Sequence, residues 1–227
     1  MQGQEGVSLA CNCAQRRHSE LVNLRALAGP TAVSRAELVT SAIPSGARVS
    51  GATADAVVTI DAVEHRRRAG LAGVDDLGLL DALMDLPIGA EVPVYHIGAV
   101  ARAHLRASPP GCVDWLSAGA VVRRLLVPAA TVELIVVRAD CWPRGLARAA
   151  AFEPFATRVV LLQCQPRAVA DIAWEADAAG VGLWLRQTDG EITEIVPPAP
   201  FVRRYVKPAG WRFTERAYTA WVNATSR

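Results

Sequence analysis

Lysine is almost missing from this chain of 227 residues. Of its 24 basic residues only Lys207 is a lysine, and the rest are arginines. GC-rich coding accounts for that bias, together with the abundance of alanine and valine, and it does not by itself signify arginine-specific recognition. Excess charge of one sign is missing too. The formal net charge is +2, so overall basicity does not announce a nucleic-acid partner. No run of 18 apolar residues occurs, and no membrane span is expected. The opening segment MQGQEGVSLACNCAQRRHSE lacks a charged region ahead of an apolar one, so it does not read as a signal peptide. Five scattered cysteines, an odd number, fit free thiols in a reducing cytoplasm rather than a disulfide framework.

Hydrophobic residues make up 52% of the chain and charged residues 20%, the profile of a globular protein with a sizeable core. Residues 1–30 form an N-terminal segment, partly flexible, with a helix over about Arg16–Leu27 as its structured option. Residues 31–127 read as a helical region. Ser34 with Glu37 at the capping-box offset predicts a helix through Ala42. Val57, Ile60 and Val63 predict a second over about Thr53–Ala69, stopped by Gly70. Leu77, Leu80, Leu83 and Met84 predict a third before Pro87. Tyr95–Leu105 and Val113–Gly119 follow as helices, then Ala120–Val127 as a strand. Short helices followed by a strand fit a winged helix, and fit a three-helix linker domain equally.

From residue 128 to residue 200 the pattern becomes α/β. Val132–Val137 is apolar except for Glu133, as in a strand buried on both faces. Asp140 and Pro143 suit a helix start, and Leu146, Ala149 and Phe152 give that helix an apolar face. Arg158–Gln163 is a second buried strand. Ala168–Ala179 is a helix ended by Gly180. Val181–Arg186 and Glu191–Val196 form a hairpin around Asp189-Gly190. Residues 201–227 add a C-terminal helix, about Phe213–Asn223, expected to dock on that core through Trp211, Tyr218 and Trp221. The fold class expected is α+β overall: a helical or winged-helix-like region followed by a small mixed-sheet α/β core.

The succession CWPRGLARAAAF, FATRVVLLQ and ADAAGVGLWLRQTDGEITEIV resembles the core of the restriction-endonuclease-like, PD-(D/E)XK, superfamily over about Thr131–Val196. The resemblance implies two carboxylates holding Mg²⁺ beside a lysine. Aligned on Trp142 and Leu146, the acid position falls on Val136 and the lysine position on Arg138. Valine cannot ligate a cation, and arginine stays protonated. The resemblance therefore implies a degenerate nuclease with no catalytic residues, no metal and no cofactor. If the chain is instead an active Mg²⁺-dependent nuclease, its acids must come from Glu133, Asp140 and Glu153.

What a degenerate nuclease retains is a groove for phosphates. Arg138, Arg144, Arg148 and Arg158 are the candidate contacts, Arg144 and Arg148 sharing a helix face by their spacing of four. Arg66, Arg67 and Arg68 in the run His65–Arg68 are a second candidate patch. For both, a solvated basic face is the competing reading. Cys11, Cys13 and His18 are metal-compatible ligand types without a fourth ligand or the usual spacing. The functional expectation is a cytoplasmic, non-catalytic protein with double-stranded DNA as partner, or a regulatory, antitoxin-like module with a protein partner or a second copy of itself and no DNA role.

Overall fold

The structure is a computed structural model that describes residues 39–42, 48–49, 52–60, 66, 68–203 and 206–225. The chain divides into two compact units. One contains Leu38–Glu133 with Phe201–Arg227. The other contains Leu134–Pro200 among its described residues. The class is α+β, with a mixed sheet.

The first unit begins with strands. β1 (Val39–Ala42) pairs antiparallel with β4 (Asp55–Ile60), Val39 facing Ile60 and Ala42 facing Val57. Between them β2 (Arg48–Val49) and β3 (Ala52–Thr53) form a minimal antiparallel pair. These strands correct two sequence expectations, a helix ending at Ala42 and the first part of a helix over Thr53–Ala69, whose described residues Arg66 and Arg68 are helical. The physical reason lies in Val57-Val58-Thr59-Ile60, four β-branched residues in succession, which favour an extended backbone. All six residues of β4 are buried, so the i, i+3 spacing of Val57 and Ile60 reflected an element buried on both faces.

The helix predicted around Leu80 is present as α1 (Leu77–Met84). Asp76 caps it, accepting from the backbone N–H groups of Gly78 and Leu79. Leu79, Leu80 and Leu83 turn inward, each side chain stabilising the fold by about 1.5–3 kcal/mol. β5 (Glu91–Pro93) follows, then a 3₁₀ turn at Val94–His96 and α2 (Ala99–Arg106). The predicted Tyr95–Leu105 helix thus starts four residues late, because Gly98 is the extended N-cap residue. β6 (Val113–Leu116) replaces the helix expected at Val113–Gly119, whose last three residues form a tight turn with left-handed φ of 52° at Ser117 and 55° at Ala118. β7 (Val121–Arg124) lies within the strand predicted there. The three strands are antiparallel in the order β5–β7–β6. Beneath them lies a core that includes Leu80, Leu83, Leu105, Cys112, Val122 and Leu126.

The chain passes from one unit to the other inside β8 (Ala130–Ala139), six residues beyond the boundary expected at Val127. In the second unit β8 leads to α3 (Trp142–Ala150), which has Pro143 in its first turn and Cys141 as N-cap, not Asp140. β9 (Thr157–Leu162) runs parallel to β8, with Val136 facing Val159 and Arg138 facing Leu161. α4 (Val169–Ala178) leads to β10 (Gly182–Arg186), parallel to β9, and β11 (Ile192–Val196) returns antiparallel. Gly145 lets α3 lie close on the sheet: a Cβ there would stand 2.5 Å from Val160 Cγ1 and 3.1 Å from the Ala139 Cβ. The Trp142 indole donates to Glu175 at 2.8 Å, which ties α3 to α4.

α5 (Pro208–Thr225) belongs to the first unit and packs against α1, not within the core of Leu134–Pro200 that the sequence suggested for it. Glu215 on α5 is fully buried. Its oxygens accept from both terminal nitrogens of Arg66 at 2.5 and 2.7 Å, from the Val74 backbone N–H at 3.0 Å, and from the Trp211 indole at 2.8 Å. The Arg66 guanidinium also donates to the Val127 carbonyl and lies over the Tyr218 ring. Arg124 is the second buried arginine. It donates to the carbonyls of Leu126, Leu83 and Leu86, closing the C-terminal turn of α1, and stacks 4.6 Å from the Trp211 ring centroid. Among the described residues no helix is long and apolar enough to cross a membrane.

Candidate functional site

The residues singled out in sequence do not form one patch. Val136 is fully buried at the centre of β8 and presents no ligand atom. Arg138, two residues on, is half-buried near the carboxyl end of the strand. The parallel register puts Val136 and Arg138 on one face of the sheet with Val159 and Leu161. α3 covers the other face, that of Ala139 and Val160. Arg144 and Arg148 lie on the exposed surface of α3, and no ion pair engages either among the described residues. They are therefore on the opposite side of the sheet from Arg138. Arg158 shares the α3 side, but its side chain is only 14% exposed and pairs with Glu153 at 3.5 Å. That pair occupies one candidate phosphate contact and one candidate metal ligand at once.

The other two candidate acids are also apart. Glu133 is half-buried on β8 at an odd offset from Val136, and so faces the α3 side. Asp140 is exposed just beyond the strand. Among the described residues no group of three His, Cys, Asp or Glu stands close enough to hold a metal ion. Cys11, Cys13, His18 and Arg67 lie outside the described residues.

Arg66 requires a correction. Expected as a phosphate contact, it is 1% exposed and locked by both nitrogens to Glu215. A guanidinium so placed cannot reach a nucleic acid. Arg68, by contrast, is exposed.

The structure brings forward two sites that the sequence did not. The first is the outer face of α2. Ala101 and Leu105 turn in toward the core, while Ala99, Val100, Ala103 and Arg106 turn out. Val100 and Tyr95, beside it, are 75% and 78% exposed. The helix carries Arg102, His104 and Arg106 and no acid. His104 ties α2 to the start of α1, since its Nδ1 stands 3.6 Å from Asp76 and a Cβ on Gly78 would meet its ring at 2.3 Å. Arg102 and Arg106 have no ion pair among the described residues, whereas Arg123 on β7 is held by Asp114 at 2.8 Å, which raises its pKa further. A basic helix spacing was visible in Arg102, His104 and Arg106. What hid the surrounding unit was β5, three residues long and too short to show a period.

The second site is the carboxyl edge of the parallel strands. Arg138, Gln163 and Arg186 lie on one face by register, and Arg186 Nε donates to Gln163 Oε1 at 3.0 Å. The Gln163 amide nitrogen is buried without a hydrogen-bond partner. Comparison with protein-family profiles, with curated proteins and with solved structures returns no match for the chain.

Proposed function

We propose that the chain is a non-catalytic, DNA-binding regulatory protein, in which α2 enters a groove and a degenerate nuclease-like unit supplies further phosphate contacts. The single observation that carries this reading is the arrangement around α2. A helix, a strand, a second helix and a hairpin close into an antiparallel sheet, and the second helix shows a basic, acid-free outer face. That order supports a winged-helix reading, with α2 as the groove-entering helix. Arg102 and Arg106 then neutralise phosphates, and the exposed Val100 approaches base edges. Arg144 and Arg148 on α3 are a second phosphate-binding patch in this reading.

The nuclease-like reading of the second unit draws support from its β8–α3–β9 crossover and the parallel pairing of β8 with β9. A buried valine at the acid position leaves that scaffold without cleavage chemistry. The test is fluorescence anisotropy of the full chain with labelled duplex DNA across a salt series. We expect binding that weakens steeply with salt. In Arg102→Ala/Arg106→Ala the salt slope should be smaller by about 1.8, roughly 0.9 for each phosphate no longer neutralised. Absence of binding at low salt would sink the proposal.

One observation favours a second reading, in which the chain recognises another protein or its own copy. Trp174 on α4 is 74% exposed, an uncommon position for a large aromatic side chain. Light scattering separates the two: a stable dimer dispersed by Trp174→Arg, in a protein without affinity for DNA, favours the second.

A further inference from the structure

Two exposed cysteines stand at matching ends of neighbouring strands. β8 and β9 run parallel, and their last paired positions are Ala139 and Leu162. One more ladder bond follows, from the Gln163 N–H to the Ala139 carbonyl at 3.0 Å, so the two chains are still at strand spacing there. Cys141 lies two residues past Ala139, and Cys164 lies two residues past Leu162. The backbone at Cys141 is still extended, with φ −143° and ψ 149°. The equal offset sets the two cysteines side by side, and the period of two gives both the sheet face of Ala139 and Leu162. Neighbouring strands stand about 4.7–4.9 Å apart, inside the roughly 4.4–6.8 Å between Cα atoms that a disulfide spans. Both thiols are free and exposed, whereas Cys112 is free and buried. The start of α3 supplies a second observation. Cys141 is its N-cap residue, a position where serine, threonine, aspartate or asparagine accepts a hydrogen bond from the first turn. The Cys141 side chain makes no such bond, so the helix gains nothing from its sulfur.

We infer that Cys141 and Cys164 are a reversible dithiol–disulfide pair, closed by a small-molecule disulfide such as oxidised glutathione and opened by excess thiol. The thiolate of one cysteine attacks the S–S bond of the small disulfide. That bond breaks, a mixed disulfide forms on the protein, and the first small thiolate leaves and takes up a proton. The thiolate of the second cysteine then attacks the protein sulfur of the mixed disulfide and expels the second small thiolate, which is protonated in turn. Two protein thiols are oxidised, one small disulfide is reduced to two thiols, and the two protons pass from the cysteines to those thiols. The closed bond ties the start of α3 to the end of β9. It stands independently of the DNA-binding reading.

The experiment is peptide mapping of the full chain after oxidation. Native protein is treated with oxidised glutathione at about pH 8, where an ordinary thiol is partly ionised. It is then alkylated before unfolding and digested with trypsin without reduction. Cleavage after Arg138, Arg144, Arg158 and Arg167 puts the two cysteines in separate peptides, Ala139–Arg144 and Val159–Arg167. We expect these two peptides to be joined, lighter together by two hydrogen atoms, and to separate on reduction. The urea midpoint of the oxidised protein should rise, because the bond restricts the unfolded chain. Cys141→Ser and Cys164→Ser alter exposed side chains and should melt as wild type does when reduced. Each should hold glutathione as a lasting mixed disulfide on the remaining cysteine, since the thiol that would displace it is gone. Wild type should release it. The inference is overturned if wild type keeps glutathione on Cys141 or Cys164 as long as the single variants do. It is overturned equally if the joined peptides come only from a disulfide-linked dimer on a non-reducing gel, or if neither cysteine reacts.

Discussion

Glu215→Gln is the sharpest test of how the first unit is held together. The substitution keeps the side-chain shape and removes the charge. In the native protein the carboxylate accepts four hydrogen bonds, two of them from Arg66, and neither residue has appreciable contact with water. Without the carboxylate, the buried guanidinium retains neutral acceptors only, the Val127 carbonyl among them. Breaking one side of a buried pair costs about 3–5 kcal/mol, a large part of the roughly 5–15 kcal/mol that a folded protein has in total. For a chain of this length that lowers the melting temperature by about 6–20 °C, at 2–4 °C per kcal/mol. Urea unfolding followed by tryptophan fluorescence reads it, since Trp211 donates to the same carboxylate. Arg66→Met/Glu215→Leu, which replaces both partners by apolar side chains, should cost far less than the two single changes summed. A Glu215→Gln penalty below about 1 kcal/mol, the value of an exposed pair, would refute the reasoning, as would additivity in the double variant.

Gly145→Ala should destabilise the second unit by about 1–3 kcal/mol, because the new methyl group would overlap Val160 Cγ1, measurable as a lower urea midpoint. Cys112 is buried, and desolvation pushes its thiol up to about 11. The unfolded thiol ionises at lower pH, so its contribution is intact below about pH 9 and is lost as pH rises toward about 11; Cys112→Ala should remove that decline between about pH 9 and pH 11 in denaturation midpoints. At native pH, thiol reagents should label the exposed Cys141 and Cys164 and spare Cys112. The Arg216 guanidinium holds Asp75 below the usual carboxylate range, an interaction present at neutral pH and lost as pH falls through the lowered value. Because Asp75 is largely exposed, Arg216→Ala should cost less than about 1 kcal/mol and flatten the acid limb of the stability curve.

The second unit was legible because its strands are buried on both faces. Val132–Val137 reads as an apolar run interrupted only by Glu133, Val159–Leu162 within Arg158–Gln163 as an unbroken one, and the Asp189-Gly190 turn fixed the hairpin. The first unit hid its strands. In Asp55–Ile60 a wholly buried strand shows no alternation, and chance spacing of valines imitated a helix. In Val113–Leu116 the side chains are all half-buried, so neither period stands out. Arg66 illustrates the limit for sites: in His65–Arg68 it looks like its neighbours, and what separates it is a carboxylate 149 residues away. Arg138 and Gln163 stand in runs whose strand character was plain. Their common face with Arg186 follows from register, which the pattern of a single strand does not contain.

The first unit is discontinuous, its two pieces lying on either side of Leu134–Pro200. During synthesis this makes it the last part of the protein that can be completed. At about 5–20 residues per second, Arg66 is added to the chain roughly 7–30 s before Glu215 exists to receive it. Until then the seat of that cation must remain open to water and the hydrophobic floor of α1 uncovered by Trp211. Any nascent-chain quality control acting on this protein would meet it in that interval, and a stop codon within the last helix would leave a unit that never closes.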